Sequence, residues 1–421
     1  MRYGSIDYVL KENRRFNANK KLEFSAFGVR QDLDSSFPSA FPPPKGITAF
    51  PDSEEALRQD LFPNVATHER LLSWRPGLTA AAPLTLASGK LFPASVVHNQ
   101  VRSALHASLE PSTRANYGSA IGVFLKFCFS ADLLVQDIFP ITQGLLLAFV
   151  SSAYGSKSDR TVRNHLSALK AWHEMWALPW TRYGLVDRAL QGVAKCAPGK
   201  AALRPPIQVV DLSAVQLFLQ PSTNPLHAAV WTCSLCAFWA VCRLGELTVP
   251  SPLLVNPARH VCRSHVGQSR SVGQDLAALQ IDLPWTKTTG TDGMAKIISS
   301  RDDELDPLHA LQWHLHLNSS TTADLDSTPL FSYKVSAGSG FRLVPLTKGK
   351  MLEVFSDALL RARRPTFSGH SFRIGGATHY WHQGATVDQI KLLGGWASDS
   401  FRVYLRDPIA GIAPLQQQLG G

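Results

Sequence analysis

Apolar residues recur at helical spacing from about residue 101 onward. After Pro111-Ser112, a helix-start signal, Tyr117, Ile121, Phe124, Leu125 and Cys128 fall on one face. A second helix is predicted after Thr142, in GLLLAFV. A third carries Val162, Leu166, Leu169, His173 and Trp176 at steps of four, three, four and three, and a shorter fourth covers LVDRALQGVAK. Four short helices with apolar faces predict a compact bundle over residues 101–203. The consecutive prolines of ALRPPIQVV then predict an extended linker. Beyond it the pattern predicts a second domain over 207–412, mainly α with a small β-sheet. Its helices are DLSAVQLFLQ, NPLHAAVWTCSLCAFWAVCRLGEL, LDPLHALQWHLHL, KMLEVFSDALLRARR, SFRIGGATHYWHQG and TVDQIKLLGGW. The alternation of Leu279, Ile281 and Leu283, followed by TKTTGTDGMAKIIS, predicts a hairpin with a glycine-bearing turn.

Residues 1–100 lack such periodicity. FPSAFPPPKG and RPGLTAAAPLTLASG interrupt any repeat that builds a core, so this stretch is expected to be a flexible arm. Its basic run, Lys11, Arg14, Arg15, Lys20 and Lys21, fits a nuclear address, a phosphate-contacting tail or plain solvated surface.

Charge narrows the partners. Lys and Arg total 42 against 32 Asp and Glu, and the net charge of +10 tilts toward a polyanion, nucleic acid first. No apolar run is long enough to span a bilayer and the N-terminus lacks a secretory core, so an intracellular protein with no membrane partner is expected. The six cysteines are too sparse for a disulfide scaffold. Cys233 and Cys236 have metal-knuckle spacing, with His260, Cys262 and His265 downstream, but they lie in the apolar VWTCSLCAFWAV, where cysteine acts as a small hydrophobe; no metal is expected. No Walker-type glycine loop is present, which argues against a nucleotide-driven motor.

The segment GHSFRIGGATHYWHQGATVDQIKLLGGWASDSFRVYLRDP is the most informative part of the chain. With CRLGEL and WTKT upstream, it resembles the tyrosine recombinase (phage-integrase) family over roughly residues 105–410. The family pattern falls on Arg243, Lys287, His370, Arg373, Trp396 and Tyr404, with Glu246 as the acidic residue after the first Arg. Trp396 and Tyr404 are eight apart, a spacing similar to that of eukaryotic DIRS-like and Crypton mobile-element recombinases. The resemblance implies a helical core-binding (SAM-like) DNA-binding domain and an α+β catalytic domain that clamp double-stranded DNA, protomers acting as a homotetramer on two duplexes, no cofactor, a mobile-element context and, in a eukaryote, the nucleus.

The chemistry gives each residue type a reason. A phenol has an ordinary pKa near 10, so about one in a thousand is ionised at neutral pH, and Tyr404 needs help to attack phosphorus. Arg243 and Arg373 are expected to clamp the extra negative charge of the transition state, because a guanidinium binds two oxygens at once. Lys287 is expected to protonate the leaving 5′-oxygen, with Lys296 on the return strand in reserve. His370 is assigned acid/base help and Trp396 phosphate positioning. Arg160, Arg163 and Lys170, with Arg361, Arg363 and Arg364, are candidates for backbone contacts or solvated surface. Two rivals remain: a type IB topoisomerase of the same chemistry, and a domesticated DNA-binding protein without catalysis.

Overall fold

The computed structural model describes residues 65–73 and 95–419, apart from residues 177, 183, 200, 201, 273–275 and 339. The arm's basic run lies outside the described residues. The chain divides into two compact units, Met1–Lys200 and Ala201–Gly421.

The described part of the first unit is helical: α1 (Ser95–Ala107), α2 (Pro111–Ser130), α3 (Gln143–Ser151), α4 (Asp159–Met175) and α5 (Gly184–Lys195). Thr142 and Ser158 cap α3 and α4 by accepting from the amides of Leu145 and Thr161. The apolar spacing chose the buried face: Ile121, Phe124, Leu125, Cys128, Val162, Leu166, Leu169 and Trp172 form one core. His173 belongs to it as a satisfied core histidine, accepting from the Ile141 amide at 3.0 Å and paired at Nδ1 with the Pro179 carbonyl. Sequence periodicity set the start of this unit too late. A short helical turn, Arg70–Ser73, buries Leu71 completely in the same core. Gly118 and Gly122 of α2 make room for it: a Cβ on Gly118 would lie 1.6 Å from the Thr67 carbonyl oxygen.

The second unit is built around α7 (Pro225–Trp239), buried along nearly its whole length. Packed with it are α6 (Val209–Gln216), α9 (Pro307–Leu317), α10 (Lys348–Arg361) and α11 (Ser371–His382). The expected continuous helix through CRLGEL breaks: α7 stops at Trp239, and a separate turn, α8 (Leu244–Leu247), follows. Strands β1 (Arg270–Ser271), β2 (Ala277–Leu283) and β3 (Met294–Ser299) make an antiparallel sheet, with Ile281 opposite Lys296. In the β2–β3 turn Gly293 takes φ +63, and a Cβ there would strike the Leu283 carbonyl. A second hairpin, β4 (Tyr333–Ala337) with β5 (Gly340–Val344), went unpredicted; it is largely exposed and lacks a strong apolar alternation. After α12 (Val387–Gly394) a 3-10 segment, Asp399–Tyr404, leads to α13 (Pro408–Leu419).

The two cysteines of the CxxC pair behave as hydrophobes. Cys233 and Cys236 are completely buried, and burial raises both thiols well above the ordinary range, so neither is a ready thiolate ligand. Nδ1 of His260 and of His265 each accepts from a backbone amide, those of Asn256 and Cys262, at 2.9 Å.

Candidate active site

Three local devices bring the C-terminal motif to the end of α7. First, α11 lies against the chain through Gly375 and Gly376; a Cβ on either would sit 2.1 Å from a backbone oxygen, of Ile207 and of Phe238 respectively. Side chains are excluded, and the helix that carries His370 at its N-cap and Arg373 one turn on approaches backbone to backbone. Second, Gly395 ends α12 in the left-handed conformation (φ +66), and the Trp396 amide donates back to the Lys391 carbonyl at 3.0 Å. Third, the 3-10 turn is anchored by the buried Phe401 and by Thr378, whose hydroxyl donates to the Tyr404 carbonyl at 2.8 Å.

The result is a close assembly. Tyr404 Oη lies 2.8 Å from His370 Nε2. The Trp396 ring is 5.4 Å from the Tyr404 ring, and the Arg373 guanidinium stacks 4.1 Å from the centre of the Trp396 ring. Arg373 is fully buried: Nη1 donates to the Val241 carbonyl at 2.6 Å and Nη2 to the Gly394 carbonyl at 2.7 Å, while Nε has no partner. Val241 itself holds φ +51, a conformation that strains a β-branched residue by about 1–3 kcal/mol, and the bond from Arg373 helps to hold it there. Arg243 begins α8 and is gripped by Glu246, its amide donating to Oε2 at 2.7 Å and Nη1 to Oε1 at 2.6 Å. Its side chain remains 27% exposed.

Electrostatics follow from burial and crowding of cations. Burial first, then Arg373, Arg204, Arg243 and Lys348, push the His370 imidazole down to about 4, so it is neutral at physiological pH. Burial and Arg243 lower Arg373 to about 10, which still leaves it charged. Lys296, 4% exposed, is lowered by burial and further by Arg373 and Arg243, while Cys242 and Glu246 oppose the shift. A half-buried neutral base beside a phenol, ringed by cations with one nearby carboxylate, suits an anionic phosphodiester and proton transfer from the phenol.

Other placements differ from expectation. Both terminal nitrogens of Arg373 donate to carbonyls, whereas on Arg243 Nη1 alone is held, by Glu246. Lys287 is exposed on the β2–β3 loop, whereas the reserve Lys296 is inside the cluster. Strand parity carried that signal: Lys296 shares the core-facing side of β3 with Ile298. Arg204 and Lys348 were missed because they lie outside the motif, in the linker and at the start of α10. Of the candidate DNA-facing residues, Arg160, Arg163 and Lys170 are exposed along α4, with Arg163 and Lys170 paired to Asp159 and Glu174 within the helix. Arg361 pairs with Asp357, Arg363 is exposed, and Arg364 is tied to the buried Asp211 at 2.6 Å, joining α6 to the end of α10.

The chain is similar in fold to solved structures. Among the solved structures it resembles are site-specific recombinases and a transposon integrase. A XerH site-specific recombinase bound to a palindromic difH substrate matches with a TM-score of 0.48 at 12% identity, covering 78% of this chain and 86% of that one. The Tn1549 transposon integrase in complex with transposon right end DNA matches with a TM-score of 0.46 at 13% identity, over 77% of this chain and 98% of that one. A Flpe–Holliday junction complex matches with a TM-score of 0.30 at 13% identity, over 76% and 85%. No protein-family model and no curated protein matches the sequence.

Proposed function

We propose that this chain is a tyrosine recombinase that cuts and rejoins DNA through a 3′-phosphotyrosine intermediate. The carrying observation is the 2.8 Å contact between Tyr404 Oη and the neutral His370, with the buried Arg373 and the more exposed Arg204, Arg243 and Lys348 around it. Tyr404 Oη attacks the scissile phosphorus and passes its proton to His370 Nε2, forming the phosphotyrosyl bond. The bond to the 5′-oxygen breaks, and that oxygen takes a proton from Lys287, exposed on the β2–β3 loop. Arg243 presents its free guanidinium edge to the non-bridging oxygens; Arg373 contributes fixed charge and the scaffold for Trp396. A phosphate placed here offsets the surrounding cations and so raises the proton affinity of His370, which favours the transfer. The phosphotyrosine retains the phosphodiester's bond energy, so attack by a 5′-hydroxyl reverses the sequence without ATP.

The finer assignments rest on the family resemblance: action as a homotetramer on two duplexes, in the movement of a mobile element and, in a eukaryote, in the nucleus. A nicked suicide duplex drawn from the flanks of the encoding gene tests the chemistry. Covalent protein–DNA adduct is expected from the natural chain and none from Tyr404→Phe. Absence of adduct from the natural chain on its cognate ends supports a binding-only protein, and relaxation of supercoils by monomer without strand exchange supports a topoisomerase.

A further inference from the structure

The end of α12 is held in an unusual way. Its last carbonyls are the negative end of a helix dipole and need donors. Two neighbouring ones are taken by cations from two other elements: the Leu393 carbonyl accepts from Lys296 Nζ of β3, and the Gly394 carbonyl accepts from Arg373 Nη2 of α11. Strand β3 grips the same turn a second time, because Met294 lies where a Cβ on Gly395 would go, 2.1 Å from its terminal methyl. A Cβ on Gly394 would in turn lie 1.8 Å from the Trp396 ring. The turn from 393 to 396 is therefore fixed between β3 and α11, and it orients Trp396, which packs on Tyr404 and Phe401.

We propose that Lys296 is a positioning residue of the cleavage reaction: its buried ammonium binds the Leu393 carbonyl and so sets the Gly394-Gly395-Trp396 turn, and through it the placement of Tyr404 beside His370. Lys296 does not protonate the leaving oxygen. Its donor is directed at a protein carbonyl, it is 4% exposed, and the adjacent Arg373 takes the next carbonyl in the same manner. This role rests on the recombinase reading for its kinetic consequence, though not for the geometry.

Two substitutions and two substrates test it. Lys296→Met keeps the apolar stem and loses the donor; Lys296→Gln keeps an N–H donor without charge. Each is measured in single-turnover cleavage of the natural phosphodiester and of a duplex with sulfur at the bridging 5′ position, a leaving group that needs no protonation. Displacing a reacting group by an ångström costs about a hundredfold. Lys296→Met is expected to lose roughly that factor on both substrates, and Lys296→Gln to regain about tenfold or more on both. Restoration of Lys296→Met to the natural rate by sulfur would show that Lys296 is the acid and overturn the proposal, as would a natural rate on the phosphodiester. If Lys296→Met does not fold, the same comparison on Lys296→Gln decides. Amide exchange without DNA separates this idea from the functional reading: faster exchange over 391–404 in Lys296→Met than in the natural chain is expected even if no adduct ever forms, and unchanged exchange refutes the positioning role.

Discussion

Gly376→Ala is a single methyl with a calculable effect. The new Cβ would lie 2.1 Å from the Phe238 carbonyl oxygen, against a normal carbon–oxygen approach of about 3.3 Å, so α11 or the end of α7 must separate by roughly 1 Å. Two energies compete. Alanine gains about 1 kcal/mol over glycine within a helix, while overpacking a core costs about 1–3 kcal/mol. The clash falls on buried backbone and so sits at the upper end; the net is destabilisation by about 1–2 kcal/mol, a lowering of Tm of roughly 2–8 °C. The kinetic loss is larger, because α11 carries His370 and Arg373, and an ångström of displacement costs about a hundredfold in adduct formation. The assay is thermal unfolding beside single-turnover cleavage of the suicide duplex. Gly192→Ala is the control: nothing lies within 4 Å of its new Cβ, and it should stabilise the first unit slightly. Natural cleavage together with an unchanged or raised Tm in Gly376→Ala would refute the argument that this close approach sets the site.

Three further outcomes are expected. His370 and His314 are held down to about 4, chiefly by burial, against about 6.5 when unfolded, so the unfolded chain binds more protons between those values; stability is full above pH about 6.5 and falls toward pH 4, and a flat Tm across that window contradicts the burial. Arg364→Ala strands the buried Asp211 and should cost about 2 kcal/mol in denaturant unfolding with the salt dependence of DNA binding unchanged; intact stability with a salt slope reduced by about one would make Arg364 a phosphate contact. Leu71→Ala should destabilise the helical unit by at least about 2 kcal/mol, and a loss under about 0.5 kcal/mol would mean that residues 65–73 do not dock as described.

The amino-acid pattern determined the helices of both units, because an apolar face at helical spacing has one way to be buried: Ile121 to Cys128 and Val162 to Trp172 point inward as their spacing requires. The family resemblance named Arg243, His370, Arg373, Trp396 and Tyr404 together, residues far apart in sequence that no periodicity connects. Burial and packing decided the rest. Which lysine enters the cluster depends on strand pairing, which sets Lys296 opposite Ile281 and leaves Lys287 in the loop. Whether Arg373 is a fork or a strut depends on the carbonyls of Val241 and Gly394, distant in sequence and unreadable from side-chain type. The docking of Leu71 depends on the room beside Gly118 and Gly122. Periodicity reports which face is apolar; only the tertiary structure supplies the backbone that meets it.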